Sequence, residues 1–119
     1  MNEVKLSTQV KEKSSRLVVQ LDMEALGLSW SEKDTVRVMA YKKDGILTIK
    51  KVAKKIKKTI CHGLTKTGSG TERLGLYISH KPRRFKKDFK QVSGVSAAVR
   101  FLNKEKTALE IYLPKEIYA

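Results

Sequence analysis

Residues 16–27 have the sequence Arg-Leu-Val-Val-Gln-Leu-Asp-Met-Glu-Ala-Leu-Gly, and they decide the fold of the first half of the chain. Residues 16–21 are mostly aliphatic and β-branched, which predicts a strand. Asp22 predicts a helix N-cap, because its carboxylate can accept hydrogen bonds from the free amides of a short helix over 23–26. Gly27 predicts the end of that helix in the left-handed conformation.

A hairpin is expected after this strand-helix segment. Residues 35–41 and 46–52 have the composition of strands, and the tetrapeptide Lys-Lys-Asp-Gly at 42–45 separates them. The Asp-Gly pair predicts a tight turn, because few other residues tolerate positive φ. Residues 1–15 alternate only weakly and predict a short edge strand or a partly ordered arm. The periodicity of 54–60 leaves open whether the last strand continues or a short basic helix forms.

The second half of the chain predicts elements in a similar order. A basic helix is expected from Pro82 to about Val92, since proline suits a first helical turn. Two interpretations stay open for the similarity of the halves, an internal duplication and two unrelated β-rich segments. The strands expected in this half lie at 73–79, 95–102 and 107–113.

Glycine content divides the chain into three predicted parts. Residues 1–60 form a strand-helix-hairpin unit with a basic C-terminal extension, and residues 73–119 form a second, basic unit of the same kind. Residues 61–72 between them are expected to be a flexible linker, because they include the sequence Gly-Ser-Gly-Thr at 68–71. This sequence lacks the Gly-Lys-Ser/Thr ending of a phosphate-binding loop.

Positive charge is concentrated in the middle of the chain. The 119 residues include 26 Lys or Arg and 12 Asp or Glu, a net charge of +14. Residues 50–91 hold 14 of the basic residues and two of the acidic ones, a net +12 that leaves +2 for the rest. Each phosphate that a Lys or Arg neutralises releases condensed counterions, so this cluster favours a nucleic acid as partner. An anionic membrane surface is the competing partner.

Several classes of protein are excluded by what the sequence lacks. No apolar run reaches the about 20 residues of a membrane span, and the polar N-terminus lacks the core of a secretory signal, so no membrane association and a cytoplasmic location are expected. Cys61 is the single cysteine, and the pair that it forms with His62 has no further ligands at metal spacing. No arrangement of nucleophile, acid and base stands out. We therefore expect no metal, no cofactor and no enzymatic activity.

The first half resembles the SpoVT/AbrB family of swapped-hairpin DNA-binding domains over residues 8–52. The resemblance rests on the arginine that leads the strand at 16, on Leu-Gly-Leu at 26–28, on Glu-Lys-Asp at 32–34 and on the strand-turn-strand finish. Gln20 departs from the proline that is common in the family. The helix at 23–26 lacks the arginines that members typically direct at DNA.

The resemblance implies a mainly β fold with short helices (α+β), a swapped-hairpin AbrB-like β-barrel built from tandem strand-helix-hairpin units. Two units could interleave within one chain, or two chains could pair as a homodimer. The function implied is that of a nucleoid-associated double-stranded-DNA-binding protein that regulates transcription. Arg16, with Lys11 and Lys13 before it, would enter a groove, and the other basic residues would contact phosphates.

Two other functions are kept beside DNA binding. One is binding of single-stranded nucleic acid or RNA, with Trp30, Tyr77 and Tyr41 stacking on bases, although the favoured interpretation of Trp30 is that it covers the core next to the short helix. The other is a basic protein-interaction or antitoxin-like module. The candidate DNA-binding residues are Lys11, Lys13, Arg16, Lys50, Lys51, Lys54, Lys55, Lys57, Lys58, Lys81, Arg83, Arg84, Lys86, Lys87 and Lys90.

Overall fold

The computed structural model describes residues 2–12, 14–31, 33–41, 45–52, 61–63, 65–67, 73–79 and 88–118. The helical elements among them are α1 (Met23–Leu26) and a single 3-10 turn at Lys115–Ile117. The strands are β1 (Glu3–Val10), β2 (Ser15–Asp22), β3 (Thr35–Tyr41), β4 (Ile46–Val52), β5 (Cys61–Gly63), β6 (Thr65–Thr67), β7 (Arg73–Ser79), β8 (Val95–Phe101) and β9 (Ala108–Tyr112). The predicted mainly β class with short helices is confirmed.

The strands form one antiparallel sheet that curls back on itself. Their order is β5-β3-β4-β9-β8-β1-β2-β7-β6. β5 and β6 lie at opposite ends of this order, yet a single residue separates them in the sequence. Because one residue spans only a few ångströms, the two ends of the sheet must come together there. In the part of the chain that the structure describes, no helix is long and apolar enough to cross a membrane.

Side chains alternate between the inner and outer faces of the curled sheet. In β2, Leu17, Val19 and Leu21 are fully buried, whereas Arg16 lies on the exposed side. This period of two is the one expected for strands with one face on the core. The inner faces of the other strands contribute further aliphatic residues, and Ile117 of the 3-10 turn closes the core from one end.

The local predictions for 16–27 are confirmed. Asp22 is extended and accepts a hydrogen bond from the Ala25 amide at 3.1 Å, so it caps α1. Gly27 ends the helix with a φ of 63°, a left-handed conformation that costs other residues about 1 kcal/mol or more. β3 and β4 pair as the predicted hairpin, and Gly45 has a φ of 64°.

Three segments differ from the expectation. β1 is no edge strand or loose arm, because it pairs with β2 on one side and with β8 on the other. Residues 61–72, expected to be a linker, include β5 and β6, which pair into the sheet; residues 68–72 lie outside the described residues. The helix expected up to Val92 is wrong for 88–92, where Phe89 forms a β-bridge with Tyr118.

The strand pairings of one half of the chain correspond to those of the other. β1 lies between β8 and β2, and the stretch formed by β5 and β6 lies between β3 and β7. In this correspondence, β1 matches the stretch β5–β6, and β2, β3 and β4 match β7, β8 and β9. Exchanging the matched strands converts six pairings into one another and leaves β2–β7 and β4–β9 unchanged. For example, the pair Val4–Ala97 corresponds to the pair His62–Val36.

Candidate nucleic-acid interface

Arg16 stands at one end of the sheet, where β1 finishes, β2 begins and β7 finishes; we call this the Arg16 end. In the ladder between β2 and β7, Arg16 lies opposite Ser79. Its Nε donates to Oε1 of Gln9 on β1, and its guanidinium lies over the Tyr77 ring at 4.7 Å from the centroid. The cation–π contact and the hydrogen bond position the guanidinium on the outer surface, and its other N–H groups can donate to a ligand.

The turn between β1 and β2 brings a second cation to the Arg16 end. Lys11 and Ser14 exchange main-chain hydrogen bonds of 2.8 and 3.3 Å, which close the turn. Lys11 is exposed, as is Glu12 beside it. Lys13 lies outside the described residues. The turn therefore positions the exposed Lys11 next to the strand that contains Arg16.

Residues 90–92 bring a third cation to the same end by packing along β1. The Thr8 amide donates to the Val92 carbonyl at 3.0 Å, and the Thr8 hydroxyl accepts from the Val92 amide at 2.8 Å and donates to the Lys90 carbonyl. The Gln91 side chain forms two hydrogen bonds with β1: its Oε1 accepts from the Val10 amide, and its Nε2 donates to the Thr8 carbonyl. Thr8 is buried, whereas Lys90 is exposed.

The 3-10 turn near the C-terminus supports the 88–92 segment from the other side. The Lys90 amide donates to the Ile117 carbonyl at 2.7 Å. The rings of Phe89 and Tyr118 pack with their centroids 6.2 Å apart. Burial raises the pKa of the Tyr118 phenol above its usual value near 10, because desolvation disfavours the phenolate. Lys90 is thus held on a backbone that is fixed on both sides.

Arg73 occupies the opposite end of β7, which we call the Arg73 end. It lies opposite Asp22 in the ladder, and its Nε is 3.7 Å from the Asp22 carboxylate. Next to this pair is an open depression of about 420 Å³, lined by both acidic and basic side chains. Its lining residues are Asn2, Glu3, Val4, Lys5, Gln20, Asp22, Ala25 and Arg73.

Lys50 and Lys51 lie away from the Arg16 end. Nζ of Lys51 lies 3.6 Å from the Asp34 carboxylate and forms an ion pair with it. Asp34 lies in the connection between α1 and β3. Lys50 is exposed and lies opposite Arg37, another exposed cation, in the β3–β4 ladder. The sequence grouped these lysines with Lys90, but they lie on β4, whereas Lys90 lies outside the strands at the Arg16 end.

Most of the remaining candidates lie outside the described residues. Lys11, Arg16 and Lys90 are the predicted residues that the described part of the structure brings together. The following predicted residues lie outside the described ranges: Lys13, Lys54, Lys55, Lys57, Lys58, Lys81, Arg83, Arg84, Lys86 and Lys87.

Trp30 covers the core, which is one of the two interpretations of its role. Its side chain is buried, and its Nε1 donates to the Lys106 carbonyl at 3.0 Å. A base could not stack on this ring without opening the core. Tyr77 is half-buried, and one face of its ring is occupied by Arg16.

Two residues that build the Arg16 end were not recognised in the sequence. Thr8 and Gln91 are distant in sequence and polar, so neither periodicity nor charge distinguishes them from surface residues. Within the described ranges, no group of three or more His, Cys, Asp or Glu side chains could hold a metal ion. Comparison with models of known families, with curated proteins and with solved structures finds no match to this chain.

Proposed function

We propose that this protein binds double-stranded DNA through its Arg16 end and acts in the cytoplasm as a nucleoid-associated transcriptional regulator without enzymatic activity. One observation carries the proposal: Lys11, Arg16 and Lys90 are exposed, and the β1–β2 hairpin and the segment 90–92 bring their backbones to one end of the sheet. Within the described ranges the ion pairs involve Lys51 and Arg73, so no carboxylate of those ranges forms an ion pair with Arg16.

The sequence of the connection between β7 and β8 adds to this charge. The connection leaves the sheet at Ser79, opposite Arg16, and the chain meets β1 again at Lys90. Five cations stand between these two anchors in the sequence, which would strengthen phosphate binding at this end. They are Lys81, Arg83, Arg84, Lys86 and Lys87.

The strand order supports a swapped-hairpin fold of the SpoVT/AbrB kind with two tandem units. The β1–β2 hairpin is flanked by β8 and β7, and the β3–β4 hairpin is flanked by β5 and β9. Each hairpin of the first half therefore has strands of the second half on both sides. Because one chain provides both units, we propose that they interleave within the chain, in place of the homodimer that the resemblance also allows.

The proposed mechanism divides the work between the three cations. Arg16, positioned by Gln9 and Tyr77, can present the remaining donors of its guanidinium to guanine or to a phosphate. Lys11 and Lys90 are point charges on an anchored backbone, so they suit phosphates and would set the register of the protein on the duplex.

Binding of a fluorescent DNA duplex at increasing salt tests the proposal. Phosphate contacts by Lys11, Arg16 and Lys90 alone predict a slope of about −2.7 in log affinity against log salt concentration, and each further contact from the β7–β8 connection makes the slope steeper by about 0.9. Arg16→Gln is expected to weaken binding about tenfold, since hydrogen bonds to charged groups contribute about 1.5–3 kcal/mol. Lys104→Gln is the matched control, because Lys104 is exposed in the turn between β8 and β9, outside the Arg16 end.

Three results would contradict the proposal. The first is no measurable duplex affinity at low salt, and the second is equal affinity of the Arg16→Gln and Lys104→Gln variants. The third is a preference for single-stranded DNA or RNA over the duplex, which would instead support the single-strand function. If a protein partner copurifies after nuclease treatment and duplex binding is absent, the protein-interaction function is supported.

A further inference from the structure

The outer face of β2 and β7 contains two arginines in equivalent positions. The ladder between these strands runs from Arg16 opposite Ser79 to Asp22 opposite Arg73, and Val19 opposite Leu76 is its middle pair. A two-fold axis through this middle pair exchanges the two arginines. It is the same exchange that relates all the other strand pairings of the sheet.

Burial follows this two-fold relationship along the ladder. Both arginines are exposed, and the three residues that follow each of them are buried. The fifth residue of each series is half-buried, and these are Gln20 and Tyr77. The sixth is again buried in both strands. The two arginines are thus presented by the same backbone geometry at opposite ends of one face.

The residue opposite each arginine breaks this symmetry. Ser79 stands opposite Arg16, and Asp22 stands at the equivalent place opposite Arg73. The Asp22 carboxylate lies 3.7 Å from Nε of Arg73, whereas Nε of Arg16 donates to the neutral amide of Gln9. An arginine beside a carboxylate offers less net attraction to a phosphate, because the anion repels the phosphate as it attracts the arginine.

Neighbouring charges increase the difference between the two ends. The Arg16 end has three exposed cations, Arg16, Lys11 and Lys90, and two exposed carboxylates, Glu12 and Asp88. The Arg73 end has two cations, Arg73 and Lys5, and three carboxylates, Glu3, Asp22 and Glu24. The two-fold relationship holds for the backbone but not for the electrostatics.

We infer that the protein uses only one half of this two-fold face to bind polyanions: the Arg16 half binds the duplex, and Asp22 makes the equivalent Arg73 half inactive. This inference rests on the proposed function. A protein with two equivalent halves matches a palindromic site, because protein symmetry is mirrored in the operator. This chain is accordingly expected to prefer a DNA site without inverted-repeat symmetry.

The matched pair Arg16→Gln and Arg73→Gln tests the inference. Both variants remove one exposed positive charge at equivalent positions of the same ladder, so nonspecific effects of net charge cancel in the comparison. Arg16→Gln is expected to weaken binding to a DNA duplex about tenfold and to reduce the salt slope by about one. Arg73→Gln is expected to stay within about twofold of the unchanged protein, because its charge is already balanced by Asp22.

A third variant, Asp22→Ser, places at the Arg73 end the residue that stands at the Arg16 end. Serine is also a good N-cap, so α1 keeps its capping hydrogen bond while the carboxylate is removed. We expect Asp22→Ser to bind the duplex more tightly, by about threefold, and its combination with Arg73→Gln to cancel that gain. Circular dichroism verifies that each variant is folded.

The outcomes separate this inference from the proposed function. Equal losses for Arg16→Gln and Arg73→Gln, or a larger loss for Arg73→Gln, would overturn the one-sided face and leave DNA binding intact. A folded Asp22→Ser variant with unchanged or weaker affinity would also overturn it. Absence of duplex binding by the unchanged protein would instead end the proposed function. Selection of preferred duplexes from a random library gives a further check, since an inverted-repeat consensus contradicts the inference.

Discussion

The indole Nε1 of Trp30 donates a hydrogen bond of 3.0 Å to the main-chain oxygen of Lys106. This bond joins the segment after α1 to the turn between β8 and β9, which lie far apart in the sequence. Trp30 is 5% exposed, so its ring and its N–H are both used within the protein. The single tryptophan of the chain therefore connects the two halves rather than presenting an aromatic surface to a ligand.

Trp30→Phe is expected to lower stability without changing nucleic-acid affinity. The substitution leaves the Lys106 carbonyl without its donor and removes part of the buried ring, which together cost about 2–3 kcal/mol. Urea unfolding followed by circular dichroism measures the change in the free energy of unfolding. Duplex and single-strand affinities of the folded variant should equal those of the unchanged protein; a selective loss of single-strand binding would show that Trp30 stacks on bases.

Gly27 and Lys106 are expected to show coupled effects on stability. Lys106 Nζ donates to the Leu26 carbonyl at 3.1 Å, and a Cβ at Gly27 would lie 2.7 Å from that nitrogen. Gly27→Ala should therefore displace the ammonium in addition to the strain of its positive φ, at a total cost of about 2–3 kcal/mol. In the Lys106→Ala background only the backbone strain of about 1–2 kcal/mol remains.

A double-mutant cycle measures this coupling. Unfolding free energies of Gly27→Ala, Lys106→Ala and the combined variant should give a double-variant cost smaller than the sum of the single costs, by about 1 kcal/mol. Strict additivity would mean that the Lys106 ammonium does not contribute to the end of α1 in solution. The ammonium also lies over the Phe101 ring at 4.8 Å, so Phe101→Leu serves as a control that tests the other contact of the same group.

Local chemistry was predictable from the sequence wherever a single stretch contained all the information. The N-cap at Asp22, the left-handed Gly27 and the strand Arg73–Ser79 each depend on neighbouring residues, and each is confirmed. The hairpin strands β3 and β4 belong to the same group, because residues close in sequence define the turn between them.

Long-range pairing was not predictable. β1 has polar residues on its outer face, so its sequence is typical of an edge strand, yet β8 covers its second edge. β5 and β6 are short and rich in Thr and Gly, and they become strands only because β3 and β7 provide hydrogen-bonding partners. Phe89 was expected on a helix, but its pairing with Tyr118 near the C-terminus favours extended backbone. Thr8 and Gln91, which hold the segment of Lys90 on β1, were not predicted for the same reason, because they are distant in sequence.

Thr8→Val is expected to weaken both folding and duplex binding. Valine has nearly the shape of threonine, but it removes the hydroxyl that donates to the Lys90 carbonyl and accepts from the Val92 amide. Two polar main-chain groups then lose a partner, which should lower the free energy of unfolding by about 1–3 kcal/mol. Thr8→Ser keeps the hydroxyl and should have a smaller effect.

The effect of Thr8→Val on function depends on the backbone that supports Lys90. Thr8→Val removes two of the hydrogen bonds between β1 and residues 90–92, while those of the Thr8 amide and of the Gln91 side chain remain. We therefore expect about twofold weaker duplex affinity, measured at a salt concentration where the unchanged protein is half-saturated. Unchanged affinity in a folded Thr8→Val variant would show that the position of Lys90 does not matter for binding.

Tyr118 is expected to reduce the stability of the protein at alkaline pH. Burial raises the pKa of its phenol in the folded state above the value near 10 that it has when unfolded. As the pH rises above 10, the unfolded chain loses the phenolic proton first, so the folded state binds more protons and the free energy of unfolding falls until the folded pKa is passed.

Tyr118→Phe removes this contribution and keeps the ring that packs on Phe89. All other titratable groups are the same in both proteins, so the informative quantity is the difference between the unfolding free energies of the two. That difference should be constant below pH 9 and should shift in favour of Tyr118→Phe above pH 10. A constant difference across the whole range would show that the phenol is as well hydrated in the folded state as in the unfolded one.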